Sequence, residues 1–123
     1  MRDTILSIRN RMDRVGVLLS GLCALHCVLG VVVVSVLGLG GEALLAPAIH
    51  ETGLALAIFV GVVTLGIGAM RHGQLGPLLI GACGLALMAA ALSVPHGPIE
   101  AVMTIIGVAL VATAHMRNLR ARH

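Results

Sequence analysis

Residues 15–41 form a run of 27 positions without a single formally charged side chain. A transmembrane helix needs about 20 predominantly apolar residues to cross the hydrocarbon core of a bilayer. A signal peptide has a shorter apolar region, of about 7–15 residues. We therefore expect this run to be a membrane span that is not cleaved.

Three further apolar segments predict three more spans. Residues 52–70 and 73–95 are uncharged, and residues 101–114 are uncharged within a stretch that would cross from Pro98 to about Met116. Only 11 % of the residues are charged, whereas soluble domains carry about 25 %. We predict an all-α membrane protein, a compact bundle of four transmembrane helices. Its predicted parts are a basic segment 1–14, helices 15–38, 49–70, 75–94 and 98–116, and a basic tail 117–123.

The placement of arginine predicts the topology. The basic residues are all arginines, and they precede the first helix, separate the second from the third, or follow the fourth: Arg2, Arg9, Arg11, Arg14, Arg71, Arg117, Arg120 and Arg122. The other two connections, 39–48 and 95–97, contain none. Because loops rich in Lys and Arg stay in the cytoplasm, we expect both termini to be cytoplasmic.

A cluster of metal-binding residue types interrupts the first span. Cys23, His26 and Cys27 would share one helix face, and at 1.5 Å per residue they lie near the middle of the bilayer. Cβ atoms at this spacing are about 5–6 Å apart, too far for a disulfide, whereas a soft ion such as Hg²⁺, or Zn²⁺, fits thiolates and imidazole. The alternative is that the cysteines are small packing residues. A histidine in mid-membrane favours a functional site.

A second group of polar residues is expected at the opposite face from the arginines. His50 and Glu51 stand at the predicted start of the second helix, and His96 and Glu100 at the start of the fourth. Nitrogen and carboxylate ligands in this number suit zinc or a similar divalent ion. We interpret the four as a capture site that faces the periplasm, with ordinary polar helix ends as the open alternative.

Other residues receive structural interpretations. Small-residue ladders predict packing faces at Gly53, Ala57 and Gly61 on the second helix and at Ala82, Ala86 and Ala90 on the third. Cys83 is interpreted as a packing spacer, His72 as a surface residue and Glu42 as a solvated loop charge. His115 either anchors the end of the fourth helix or receives an ion on its way inward.

Several function classes lack their sequence signatures. The chain has no phosphate-binding loop and no HExxH motif, and a Cys–His pair without an orienting third group does not predict a nucleophilic enzyme. There is no basic stripe with interleaved aromatic residues, so nucleic-acid binding is not expected. We expect neither an enzyme nor a permanently bound cofactor.

With these motifs in order, the chain resembles the MerC family of mercury-resistance membrane proteins from about Asp13 to Arg120. The resemblance is carried by DRVGVLLSGLCALHCVLG, IHE, RHG, PHGPIEAVMTIIG and AHMRN. It implies a four-helix protein of the bacterial inner membrane that brings Hg²⁺ into the cytoplasm for a reductase, with Cys23 and Cys27 as the metal-binding pair and His26 between them. The Cys-x-x-x-Cys spacing and the absence of C-terminal cysteines depart from the founding members, and the surplus of His and Glu leaves zinc as an alternative metal.

The sequence therefore predicts a transporter that carries Hg²⁺ from periplasm to cytoplasm. Its expected partners are the divalent ion, the bilayer, and a cytoplasmic thiol acceptor or mercury reductase. Zinc uptake is the close alternative, and a non-transporting accessory or redox-sensing membrane subunit is the alternative of another class. A single bundle and a homo-oligomer of bundles both stay open.

Overall fold

The chain folds into four α-helices in the computed structural model, which describes residues 1–37, 47–95 and 97–121. The helices are α1 (Arg2–Leu37), α2 (Pro47–His72), α3 (Gly76–Ala91) and α4 (Pro98–Arg120). The described ranges contain no β-strand. The predicted all-α class and the number of helices are confirmed.

The helices have the length and composition of membrane spans. Helices α1, α2 and α4 are each long and apolar enough to cross a bilayer. Helix α3 is a shorter apolar helix of 16 residues, about 24 Å long at 1.5 Å per residue. Leu18, Leu22, Leu25 and Leu29 form an exposed outward face on α1, which suits hydrocarbon rather than water. The protein is a multi-pass membrane protein.

The segment of α1 around Asp13 lies beside the ends of α2 and α4 at one end of the bundle. Asp13 of α1 bonds to His115 of α4, and His72 at the end of α2 bonds to Asn118 of α4. We call this the arginine-bearing end, because Arg14, Arg71 and Arg117 belong to the same helix segments. The far end therefore contains the starts of α2 and α4.

The most extensive helix contact joins α3 to α4 and depends on two glycines. A Cβ atom on Gly84 would lie 2.6 Å from the backbone oxygen of Gly107, and one on Gly107 would lie 2.8 Å from the oxygen of Gly84. These distances leave no space for a side chain, so the backbones meet directly, as in many membrane helix pairs.

One predicted packing face is confirmed and the other is wrong. On α2, Ala57 and Gly61 are buried and Gly53 is half-buried, so this ladder faces the bundle. The ladder on α3 is instead exposed: Ala82, Ala86 and Ala90. The buried face of α3 is formed by Pro77, Gly81, Gly84, Met88 and Ala91. Helix α3 is apolar on every side, so its pattern contains no contrast that marks the inner face.

The helix boundaries differ from the predicted ones at three places. Helix α1 begins at Arg2 rather than near residue 15, and α4 continues to Arg120 rather than ending near 116. Both extensions belong to the arginine-bearing end, where polar side chains such as Asp13 and Asn118 are buried between the helices. Helix α3 ends at Ala91 rather than near residue 94. The backbone N–H groups of Leu92, Ser93 and Val94 each donate to the carbonyl oxygen three residues earlier.

Candidate metal site and the buried network at the arginine-bearing end

A cavity of about 340 Å³ opens between the helices in the half of the bundle away from the arginine-bearing end. Its polar lining comes from three helices: Cys23 and His26 on α1, His50 on α2, and Thr104 on α4. We call it the large cavity. The predicted thiol and imidazole of α1 therefore line one cavity together with residues of the other helices.

The thiol of Cys23 lies close to the backbone of α2. Cys23 is half-buried, and a Cβ atom on Gly53 would be 3.7 Å from its sulfur. Such a distance is ordinary van der Waals contact. Because Gly53 has no side chain, the space beside the sulfur stays open to the large cavity.

Two imidazole rings and a carboxylate continue from this thiol toward the far end. The rings of His26 and His50 have centroids 5.5 Å apart at an interplanar angle of 64°. Nε2 of His50 lies 3.9 Å from Oε1 of Glu100, with side chains only 10 % and 7 % exposed. Nε2 of His26 is buried and has no hydrogen-bond partner among the described residues. This nitrogen therefore keeps an unused hydrogen-bonding capacity in a residue that lines the large cavity.

The remaining predicted ligands have different outcomes. Glu51 is exposed and does not line the large cavity. Cys27 belongs to α1, but its side chain lies outside the described part of the structure, as do residues His96 and Glu42. Within the described part, no three His, Cys, Asp or Glu side chains form a ready-made metal-binding group. The predicted ligand set stays a prediction.

Sequence reasoning missed a buried polar network at the arginine-bearing end. It consists of Asp13, Thr64, His72, His115 and Asn118, and we call it the Asp13 network. Oδ1 of Asp13 lies 2.7 Å from Nδ1 of His115, and its Oδ2 accepts a 2.9 Å bond from Nδ2 of Asn118. Asp13 and Asn118 are fully buried, and His115 is 1 % exposed. The available signal was a lone carboxylate just before an uncharged run.

The hydrogen bonds of the Asp13 network determine the orientation of its amide and its outermost ring. The backbone N–H of Gln74 donates to Nδ1 of His72, so the ring hydrogen is on Nε2 and donates to Oδ1 of Asn118 at 2.9 Å. Nδ2 of Asn118 donates to both Asp13 and the backbone oxygen of Thr64. His72 is thus an integral member of the network, rather than the plain surface residue that was predicted.

Comparison with known proteins now adds to this geometry. Residues 13–120 match the MerC mercury resistance protein family. The chain belongs to the MerC family. The predicted resemblance is confirmed, and the match covers both the large cavity and the Asp13 network. No curated protein and no solved structure matches the chain. It is accordingly a multi-pass membrane protein related to mercury resistance.

Proposed function

We propose that this MerC-family protein carries Hg²⁺ across the bacterial inner membrane, from the periplasm to the cytoplasm. Cys23 and Cys27 would supply thiolates, and His26 an imidazole nitrogen, to the ion near the middle of the membrane. The observation that carries the proposal is that Cys23 and His26 line one cavity between the helices. Lipid-facing cysteines would offer an ion no protected route.

The charge distribution supports the proposed direction. Arginine is concentrated at one end of the bundle, and the positive-inside rule makes that end cytoplasmic. The large cavity, with Glu100 beside its lining residue His50, then lies toward the periplasm, where the ion enters. A positive charge that moves inward, toward the negative side of the membrane, gains about 2.3 kcal/mol per 100 mV of membrane potential. A divalent ion gains about twice as much per 100 mV.

The chemistry requires neither catalysis nor a resident cofactor. The ion is the cargo, and each step is an exchange of ligands on it. Thiolates bind soft ions strongly, yet an incoming thiolate can bind the ion before the first thiolate leaves, so the ion passes from one sulfur to the next. A cytoplasmic thiol acceptor, such as that of a mercury reductase, would take the ion from the protein. The proposal holds for a single bundle or for a homo-oligomer of bundles.

Uptake of Hg²⁺ by cells that lack a mercury reductase tests this function. We expect Cys23→Ser to abolish both uptake and mercury hypersensitivity, because a hydroxyl is a poor ligand for a soft ion. The matched control is Cys83→Ser, since Cys83 is an exposed cysteine on α3 that lies outside the large cavity. Undiminished uptake by Cys23→Ser, or equal losses in both variants, would overturn the proposal.

Zinc is the second candidate cargo, because His26, His50 and Glu100 add nitrogen and oxygen donors to the thiol. These donors are typical of zinc sites. Expression in a strain deficient in zinc import, grown with a chelator, tests this alternative, and restored growth would identify zinc. Purified protein without bound metal, together with a phenotype that does not depend on Cys23, would instead favour an accessory membrane subunit.

A further inference from the structure

One methionine lies at the boundary between the large cavity and a second, smaller cavity. The smaller cavity has a volume of about 10 Å³, and His115 of the Asp13 network lines it. Three residues line both cavities: Leu19 and Cys23 of α1, and Met88 of α3. Two sulfur-containing side chains from different helices therefore belong to the same boundary.

Met88 differs from the other methionines and from its neighbours on α3. Among the described methionines only Met88 is buried, whereas Met70, for example, is 82 % exposed. The other residues of the buried α3 face are glycine, alanine or proline, so Met88 has the only long side chain there. It is also the one residue that α3 contributes to the described lining of the large cavity. The contribution of α3 to this cavity is thus a thioether.

The position of the Met88 side chain is fixed by packing as far as Cγ. A Cβ atom on Gly107 would lie 2.6 Å from Cγ of Met88, so the methionine occupies space that Gly107 leaves open on α4. Met88 belongs to the buried apolar cluster against which Cys23 packs. The sulfur is bonded directly to Cγ, and rotation about the Cβ–Cγ bond turns it without moving Cγ. The thioether is therefore held in the packed region that Cys23 contacts.

A thioether at this place has a specific chemistry. It is a soft donor, and soft ions prefer sulfur ligands, whereas zinc sites in proteins use thiolate, imidazole and carboxylate. If methionine served only to fill the gap between the helices, leucine would replace it well, because the two side chains have similar volumes. Leucine has no donor atom, so the exchange of these two residues separates packing from metal binding.

We propose that the thioether of Met88 is a further ligand for the ion that Cys23 holds, and that it makes the site selective for soft Hg²⁺ over Zn²⁺. The proposal rests on the proposed function in taking Cys23 as a ligand, but it does not depend on the direction of transport. Cys23 and Met88 then supply one sulfur each from α1 and α3, and His26 adds an imidazole nitrogen. Zn²⁺ would bind the thiol and the imidazole without the thioether.

X-ray absorption at the mercury edge tests this ligand in purified full-length protein that carries selenomethionine, with one equivalent of HgCl₂ as the probe. We expect a selenium atom among the atoms bonded to Hg²⁺, because Met88 then binds through selenium. The selenium neighbour should disappear in Met88→Leu and persist in Met70→Leu, since Met70 is exposed and lines neither cavity. A spectrum without a selenium neighbour, or with one that Met88→Leu retains, would overturn the proposal.

Metal affinities of the same variants test the selectivity. Loss of an outer partner of a metal ligand lowers affinity by about 10–100-fold, and loss of a direct ligand should cost no less. In competition with a soluble thiol, we therefore expect Met88→Leu to bind Hg²⁺ at least tenfold more weakly than the unchanged protein, roughly the lower limit of that range. Zn²⁺ binding should stay the same. An unchanged Hg²⁺ affinity, or equal losses for both ions, would contradict the proposed selectivity.

Uptake measurements on the unchanged protein distinguish the two proposals. If Hg²⁺ enters cells but the bound ion has no selenium neighbour, the Met88 ligand is wrong and the transport function stands. If the selenium neighbour is present but no Hg²⁺ enters, the transport function fails and the Met88 ligand stands.

Discussion

The large cavity and the Asp13 network contain similar side chains but differ in packing. The large cavity has about 340 Å³ of open space, and His26 has a buried nitrogen without a hydrogen-bond partner in the described chain. In the Asp13 network both carboxylate oxygens are bonded, and the adjacent cavity is about 10 Å³. The difference is that the large cavity leaves a nitrogen of His26 without a partner in the described chain, whereas the satisfied groups of the Asp13 network hold helices together in close packing.

The largest expected effect on stability follows from removal of the Asp13 carboxylate. Asp13→Ala leaves donors of His115 and Asn118 buried without their acceptor, and each buried donor left unsatisfied costs about 1–3 kcal/mol. We expect a clearly lower thermal unfolding midpoint in detergent micelles. Asp3→Ala is the control, because Asp3 is exposed in the first turn of α1. Similar midpoints for both variants would mean that the network contributes little to stability.

Alanine substitutions at two glycines of α2 allow a direct comparison of packing in the Asp13 network and in the large cavity. A Cβ atom on Gly68 would overlap the amide of Asn118 in the Asp13 network, whereas one on Gly53 would only contact the sulfur of Cys23 at 3.7 Å. Overpacking costs about 1–3 kcal/mol, so Gly68→Ala should lower the free energy of unfolding by that amount.

The matched variant Gly53→Ala should leave stability unchanged or slightly increased, because alanine is the better helix former. Gly66→Ala is a further control, since nothing lies within 4 Å of its added Cβ. Chemical unfolding of the three variants in one detergent provides the comparison. A Gly53→Ala variant as unstable as Gly68→Ala would show that the large cavity is packed as tightly as the network.

At the far end, the expected effect concerns metal capture more than stability. Glu100 is buried beside His50, whereas Glu51 is exposed. We expect Glu100→Gln to raise the metal concentration for half-maximal uptake by about tenfold, which equals about 1.4 kcal/mol. Glu51→Gln should have a smaller effect, because water screens an exposed charge. The reverse order in an uptake titration would identify Glu51 as the more important carboxylate.

The smallest expected effect is at the edge of the Asp13 network. His72→Ala removes one hydrogen bond to Asn118 at a partly exposed position, and such a bond contributes about 0.5–1.5 kcal/mol. We expect a small decrease in the thermal midpoint and unchanged Hg²⁺ uptake. A loss of uptake comparable to that of Cys23→Ser would assign His72 a part in transport that its saturated hydrogen bonding does not predict.

Much of the fold and part of the candidate site could be predicted because they depend on local chemistry. Uncharged runs predicted four helices, and the i, i+3, i+4 spacing put Cys23 and His26 on one face, which the structure turns toward the large cavity. Helix α3 shows the limit. Alanine and glycine are both small and apolar there, so hydropathy does not distinguish the exposed Ala86 from the buried Gly84.

By itself, the sequence determined an all-α membrane protein whose arginines flank the same ends of its apolar helices, because hydrophobic length and charge are properties of each segment alone. Only the tertiary structure decided that Gly84 meets Gly107 and that Asp13 meets His115 across 102 positions. These pairs form between distant segments, and their partners are selected by close backbone approach and by the need to satisfy buried donors and acceptors. No local pattern in the chain contains that information.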